Sequence, residues 1–277
     1  VLHLIESLGR GGAETVLAAT LAEMDRDRHV GTVAYLGVAS DLRETFEALG
    51  CGVIDLGLRR PDDVRGVVRV HRLLATAGAD LVHAHLYFPG IYAKLAGWWT
   101  GMPVICSLHN LMYEPENRVD NPRYPRWKQV VLRLGERVTD RLAHPHLVAV
   151  SEAVRQSALL QLGVDPARIV TIPDGVDTKT FTPASADERA AARRTLGIPA
   201  QADVVTIVGR LVALKGHVTL FEAVGRVRAR HPRVQVLVVG RGPLESELRR
   251  EAVRFGVADL VRFLGARGDV RRVLAAS

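Results

Sequence analysis

The sequence predicts an α/β protein made of two Rossmann-like, doubly wound domains, and three observations carry that expectation. Short runs of Val, Ile and Leu alternate along the chain with longer segments of helical apolar spacing. Glycine, histidine or a cation follows many of the apolar runs, at the strand ends where open α/β sheets hold ligands. Composition then shifts near Thr178 to Pro183 into a stretch rich in Thr, Ser and Pro, which divides the chain into 1–180 and 181–277.

Val1 to Ser7 reads as a strand, Leu8 to Gly12 as a glycine loop and Ala13 to Met24 as a helix. Ala13, Val16, Leu17, Thr20, Leu21 and Met24 define one face of that helix. Gly11 and Gly12 let the backbone come close to a ligand, and Glu14 suits the positive end of the helix. The order G-R-G-G lacks the spacing of a dinucleotide fingerprint, and a tight turn without a ligand fits equally well.

Further strands are expected at Val30 to Leu36, Val53 to Leu56, Leu81 to His85, Val104 to Leu108, Leu147 to Val150 and Ile169 to Ile172. Helices are expected at Asp41 to Leu49, Asp62 to Ala77, Ile91 to Thr100, Trp127 to Leu142 and Glu152 to Leu162. Such βα repeats imply a mostly parallel sheet with right-handed crossovers. His83 and His85 share a strand face, but no third ligand stands at plausible spacing, so no metal is expected. His109 follows a strand at the end where the Gly11-Gly12 loop also falls. Its position fits contact with a ligand and a bond to a neighbouring loop equally.

Between Asn110 and Trp127 lies a polar, Pro-broken loop. The basic segment after it, Arg123 to Arg141, sets Arg126, Lys128, Arg133, Arg137 and Arg141 among Trp127, Val130, Val131 and Leu134. An ordinary surface helix with one face in the core reads this way. So does a helix in peripheral contact with the inner face of an anionic membrane.

Val204 to His217, VVTIVGRLVALKGH, organises the second half. Its β-branched run suits a strand buried on both faces. Gly209 then opens a loop bearing Arg210 and Lys215, and Val218, Phe221 and Val224 begin a helix expected over His217 to Arg230. Lys215 and Gly216 thus fall at a helix N-terminus, where free N–H groups and the helix dipole favour a phosphate or diphosphate. Many α/β proteins carry such a turn without a ligand. Strands at Val234 to Val239 and Val261 to Leu264 flank a helix at Leu244 to Phe255, and Gly240-Arg241-Gly242-Pro243 sits at another strand end.

At 277 residues and 48% hydrophobic, the chain can bury a substantial core, which excludes disordered and collagen-like classes. A formal charge of +7 invites a nucleic-acid reading, but the basic residues are spread out and only four are lysines. That is an arginine habit without a recognition motif, so no nucleic-acid partner is expected. Cys51 and Cys106 read as core thiols of a reducing compartment. With no apolar run of membrane-spanning length and no basic leader, the protein is expected to be cytoplasmic, and the missing initiator Met suggests a trimmed sequence.

Gly11-Gly12-Ala13-Glu14, TIPDGVD from Thr171, VGRLVALKG from Val208, VVGRGP from Val238 and RFLG from Arg262 together resemble the group 1 retaining glycosyltransferases of GT-B fold. The resemblance spans essentially the whole chain. It implies two domains facing across a cleft and metal-independent transfer of a sugar, with retained configuration, from a UDP- or GDP-sugar. The acceptor would be a glycan or a lipid-linked molecule, as in polysaccharide biosynthesis, and no cofactor is implied. Arg210 and Lys215 would hold the donor diphosphate, with Gly209 beside them. His109 would touch the transferred sugar, Gly11 and Gly12 would admit phosphate and sugar, and the backbone at Arg241 and Leu264 would cradle the base.

The sequence departs from the family at Asp174, where Asn is common. The family's glutamate pair, separated by seven residues, would follow Ser277, so the resemblance implies a second domain cut short at its C-terminus. That motivates an alternative, a catalytically silent nucleotide-binding fragment. Another GT-B enzyme, such as a nucleotide-sugar epimerase, is a further alternative.

Overall fold

The structure, a computed structural model, describes residues 1–37, 39–112 and 126–277, without the Arg126 side chain. Most of the polar loop between Asn110 and Trp127 lies outside the described residues, as does Arg123. The described chain forms two compact units, one reaching to Asp177 and the other running from Thr178 to Ser277.

The first unit holds seven strands: β1 (Leu2–Ile5), β2 (Thr32–Tyr35), β3 (Gly52–Asp55), β4 (Val82–His85), β5 (Val104–Leu108), β6 (His146–Ala149) and β7 (Ile169–Thr171). They pair in parallel in the order β3-β2-β1-β4-β5-β6-β7. The order reverses between β1 and β4, the switch point beyond which doubly wound sheets hold ligands. The helices are α1 (Gly12–Ala22), α2 (Arg43–Ala48), α3 (Arg65–Thr76), α4 (Tyr87–Thr100), α5 (Arg126–Ala143) and α6 (Glu152–Leu162).

Alternate strand residues face two helical layers. Leu2, Leu4, Ala84, Cys106 and Ala149 pack with Val70 of α3, Ala93 of α4 and Ala158 of α6. On the other face Ile5, Val33 and Tyr35 meet Leu17 and Leu21 of α1 and Phe46 of α2. The expected α1 face needs one correction: Thr20 is exposed, while Glu14 is buried against the strand end. Helix α4 begins at Tyr87, four residues earlier than its apolar spacing indicated, directly after β4.

Helix α5 sets one face in the core, as an ordinary surface helix does, but apart from Leu132 that face is polar. Lys94 of α4 is fully buried and donates to Glu136 Oε1 at 3.1 Å and to Asp140 Oδ1 at 2.7 Å. Burial opposes the Lys94 charge, but the charges of Glu136 and Asp140 outweigh it and hold its pKa above the ordinary lysine value. This cluster turns Glu136 and Asp140 inward, and Gln129, Leu132 and Thr139 are buried beside them. Trp127, Val131, Leu134 and Val138 consequently point outward, with Trp127 67% exposed. The helix is amphipathic but inside out.

The second unit holds β8 (Asp203–Val208), β9 (Val234–Val239) and β10 (Val261–Gly265), parallel in the order β10-β9-β8. Its helices are α7 (Ala186–Leu196), α8 (His217–Val227), α9 (Glu245–Arg254) and α10 (Val270–Ala275). Leu211, Phe221, Val236 and Leu248 form one core, and Ala192, Leu196, Leu237 and Val273 form another. The expectation that β8 is buried on both faces is corrected: it lies at the sheet edge with Val205 and Val208 exposed, and β9 is the buried central strand. A β-branched run specifies a strand but not its place in the sheet. Where composition suggested only a short helix, α7 runs for 11 residues, because Ser185 and Glu188 close a reciprocal capping box and Gly197 ends it at φ +61°.

Candidate functional site

In the second unit, the loops after all three strands knit together at the C-terminal edge of the sheet. Gly209 N–H donates to the Val239 carbonyl at 2.9 Å, Leu211 N–H to the Arg241 carbonyl at 3.0 Å, and Gly240 N–H to the Gly265 carbonyl at 2.8 Å. The glycines are sterically required. A Cβ at Gly240, whose φ is +141°, would fall 1.9 Å from the Gly209 oxygen, and one at Gly242 would fall 2.4 Å from the Leu211 oxygen.

The cations stand on this cluster. Gly209 packs against the aliphatic stem of Lys215, with its missing Cβ position 3.4 Å from the lysine Cγ and Cδ. Lys215 closes a 3-10 turn, and Gly216 at φ +71° then opens α8, whose N-terminus has no side-chain cap. Arg210 and Lys215 are exposed, and neither forms an ion pair with a described residue. The missing Cβ position of Gly265 lies 3.9 Å from Arg241 Nε, beside Leu264. The Leu264 side chain packs into the core with Val239 and Val273, leaving its backbone for any ligand. Gly209, Arg210, Lys215, Arg241 and Leu264 are therefore one neighbourhood.

Gly11, Gly12 and His109 belong to a second neighbourhood, at the switch point of the first unit. Gly11 precedes α1, and a Cβ there would meet Glu14 Oε2 at 2.3 Å; Gly12 faces open space. Glu14 accepts the Ser7 hydroxyl at 2.6 Å, which holds the carboxylate against the glycine turn. His109 Nε2 lies 3.2 Å from His85 Nδ1. Burial pushes the His109 pKa down, opposed by the charges of Asp174 and Glu14. Directly after His85, Leu86 holds φ +72°, a left-handed conformation in which a non-glycine residue stores strain.

Sequence spacing found His83 and His85 but missed His3. Parallel pairing sets His3 opposite His83, so three imidazoles share one face of β1 and β4. A ligating nitrogen of each lies within 4.8 Å of the others. Burial lowers all three pKa values, to about 3 for His3 and about 4 for His83, and well below the ordinary value for His85. His3 stands two residues into the first strand with no motif around it, and only the strand order gives it meaning.

Each unit thus carries a glycine-bearing neighbourhood beyond the ends of a parallel sheet. The family model for glycosyltransferase family 4 matches residues 10–180, and that for group 1 glycosyl transferases matches residues 202–277. The chain belongs to glycosyltransferase family 4.

It is 31% identical over 302 aligned residues to a D-inositol 3-phosphate glycosyltransferase of Kineococcus radiotolerans, covering 98% of this chain and 61% of the relative. Of the similar protein from Catenulispora acidiphila it covers 47%, at 32% identity over 72% of this chain, so it spans about half to three-fifths of these relatives. Among solved structures, HepE of Anabaena, crystallised with UDP and glucose, superposes with a TM-score of 0.78 at 24% identity, over 99% of this chain and 71% of that one.

Proposed function

We propose that the chain forms the greater part of a retaining glycosyltransferase that moves a sugar from a UDP- or GDP-sugar to a glycan or lipid-linked acceptor. The observation that carries this is the pair of cations Arg210 and Lys215, without an ion-pair partner among the described residues, on a glycine cluster at the N-terminus of α8. Crystals of HepE with UDP and glucose support a nucleotide-sugar donor.

When the glycosidic C–O bond breaks, its electron pair leaves on a β-phosphate oxygen, and the guanidinium and ammonium offset the charge that grows there. Two cations and a helix N-terminus meet the diphosphate charge, so the proposed step needs no divalent ion at that position. The backbone at Gly240, Arg241 and Leu264 is assigned to the base. In the first unit, Gly11, Gly12 and His109 are assigned to sugar recognition.

The inside-out α5 supports a peripheral position on the inner membrane face. Exposed Trp127, Val131, Leu134 and Val138 sit beside Lys128, Arg133, Arg137 and Arg141, a pairing of apolar surface with positive charge that suits an anionic bilayer. No described helix is long and apolar enough to cross a membrane. A lipid-linked acceptor fits such a surface.

Thermal melting with UDP-glucose, UDP-N-acetylglucosamine and GDP-mannose tests the donor reading. One of them is expected to raise Tm, and Arg210→Ala and Lys215→Ala to remove the shift. Flat curves across the panel would contradict it.

A further inference from the structure

We infer that His3, His83 and His85 form a binding site for one divalent transition-metal ion of the zinc class, set inside the first unit. The site follows from topology. β1 and β4 are parallel neighbours with His3 in register with His83, and His85 lies two residues further along the same face. Ring centroids are separated by 5.4 Å for His3 and His83, 5.9 Å for His3 and His85, and 4.3 Å for His83 and His85.

Three hydrogen-bonding facts point to a ligand. Both ring nitrogens of His3 and Nε2 of His85 are buried without a partner among the described residues, His3 being 2% and His85 5% exposed. Orphaned buried imidazole nitrogens are costly and call for an explanation. The other nitrogen of each β4 histidine is held from outside: His83 Nε2 lies 2.8 Å from Ser107 Oγ, and His85 Nδ1 lies 3.2 Å from His109 Nε2. Metal-ligating histidines are oriented in this way, one nitrogen on the ion and the other on a neighbour. That leaves His83 Nδ1, His85 Nε2 and the nitrogens of His3 for an ion.

The donor set selects the metal. Three imidazoles without a carboxylate suit zinc or cobalt and disfavour magnesium and calcium, which take oxygen ligands. Zinc–nitrogen bonds of about 2.0–2.1 Å place tetrahedral ligand atoms roughly 3.3 Å apart. The nitrogens here lie within 4.8 Å of one another, so modest ring rotations close the site. Partly buried His83 gives the approach, and a water completes four-coordination. With Nε2 of His85 on the ion, its remaining proton sits on Nδ1 and is donated to His109 Nε2. Metal binding thereby fixes the His109 tautomer.

The test uses the chain without a polyhistidine tag, stripped with chelator, loaded with zinc and gel-filtered. Elemental analysis is expected to find about one zinc per chain, and cobalt loading to give the intense visible bands of a tetrahedral site. His3→Gln and His85→Gln are each expected to reduce bound zinc to about a tenth of that or less, while His231→Gln, at an exposed position of the second unit, leaves it unchanged. Circular dichroism of the metal-free variants separates loss of ligand from loss of fold. If those variants do not fold, the wild-type chain decides alone, since magnesium is expected to produce neither stoichiometric binding nor a Tm rise where zinc produces both. Substoichiometric zinc on the wild type, octahedral cobalt bands, or equal loss in His231→Gln would overturn the site and leave adventitious binding only.

Discussion

Lys94 Nζ lies 2.7 Å from Asp140 Oδ1 across the α4–α5 interface, and the same ammonium reaches Glu136. Removing it would strand two carboxylates in the interior. Lys94→Met is expected to cost about 3–5 kcal/mol, measured by urea unfolding, because uncompensated buried charge dominates the loss. A change below about 1 kcal/mol, the range of an exposed ion pair, would show that the cluster does not hold α5.

Gly240 and Gly12 make a matched pair. Alanine at Gly240 must displace the Gly209 carbonyl and hold φ near +141°, whereas alanine at Gly12 enters open space. Gly240→Ala is expected to lower stability by about 1–3 kcal/mol and to weaken nucleotide binding, while Gly12→Ala stays within about 0.5 kcal/mol of the parent. Equal stability in the two variants would refute the packing described for the loop cluster.

Cys106 is buried between the sheet and Lys94. Burial raises its pKa to about 12, opposed by Lys94 and reinforced by Asp140 and Glu136. The folded state therefore keeps the proton to higher pH than the unfolded state does. The stability that this contributes is intact below the unfolded thiol value of about 8.5–9 and is lost as pH rises toward 12, by up to about 1.4 kcal/mol per pH unit. Cys106→Ala is expected to flatten that alkaline slope. At pH 8 iodoacetamide should label partly exposed Cys51 before Cys106, and early labelling of Cys106 would contradict its burial.

The outward stripe of α5 predicts salt-sensitive sedimentation with vesicles containing phosphatidylglycerol. A Trp127→Ser, Leu134→Ser double variant is expected to lose about tenfold in vesicle affinity with little change in melting, since neither side chain is in the core. Binding that survives the double variant would assign the interaction to charge alone.

Much of the architecture was legible because strand and helix periods differ and because strand ends carry their glycines with them. β5, β9 and α6 fall where their spacing put them, and Gly209, Lys215 and Arg241 emerge in one cluster because consecutive parallel strands share a C-terminal edge. What could not be read depended on neighbours distant in sequence. β8 and β9 have similar runs, yet only the sheet order makes one an edge. His3 gains meaning only when β1 lies beside β4. The apolar stripe of α5 was visible, but its direction is set by Lys94, more than forty residues away in Glu136's sequence terms.

The most direct test of the donor site is isothermal titration of UDP and GDP into the chain and into the Arg210→Ala, Lys215→Ala double variant. One nucleotide is expected to bind the parent at a single site and to lose about 100-fold or more in affinity in the double variant, roughly the sum of two charge-assisted contacts. Binding of equal strength to both proteins, or none to the parent, would contradict the assignment of these cations to a diphosphate.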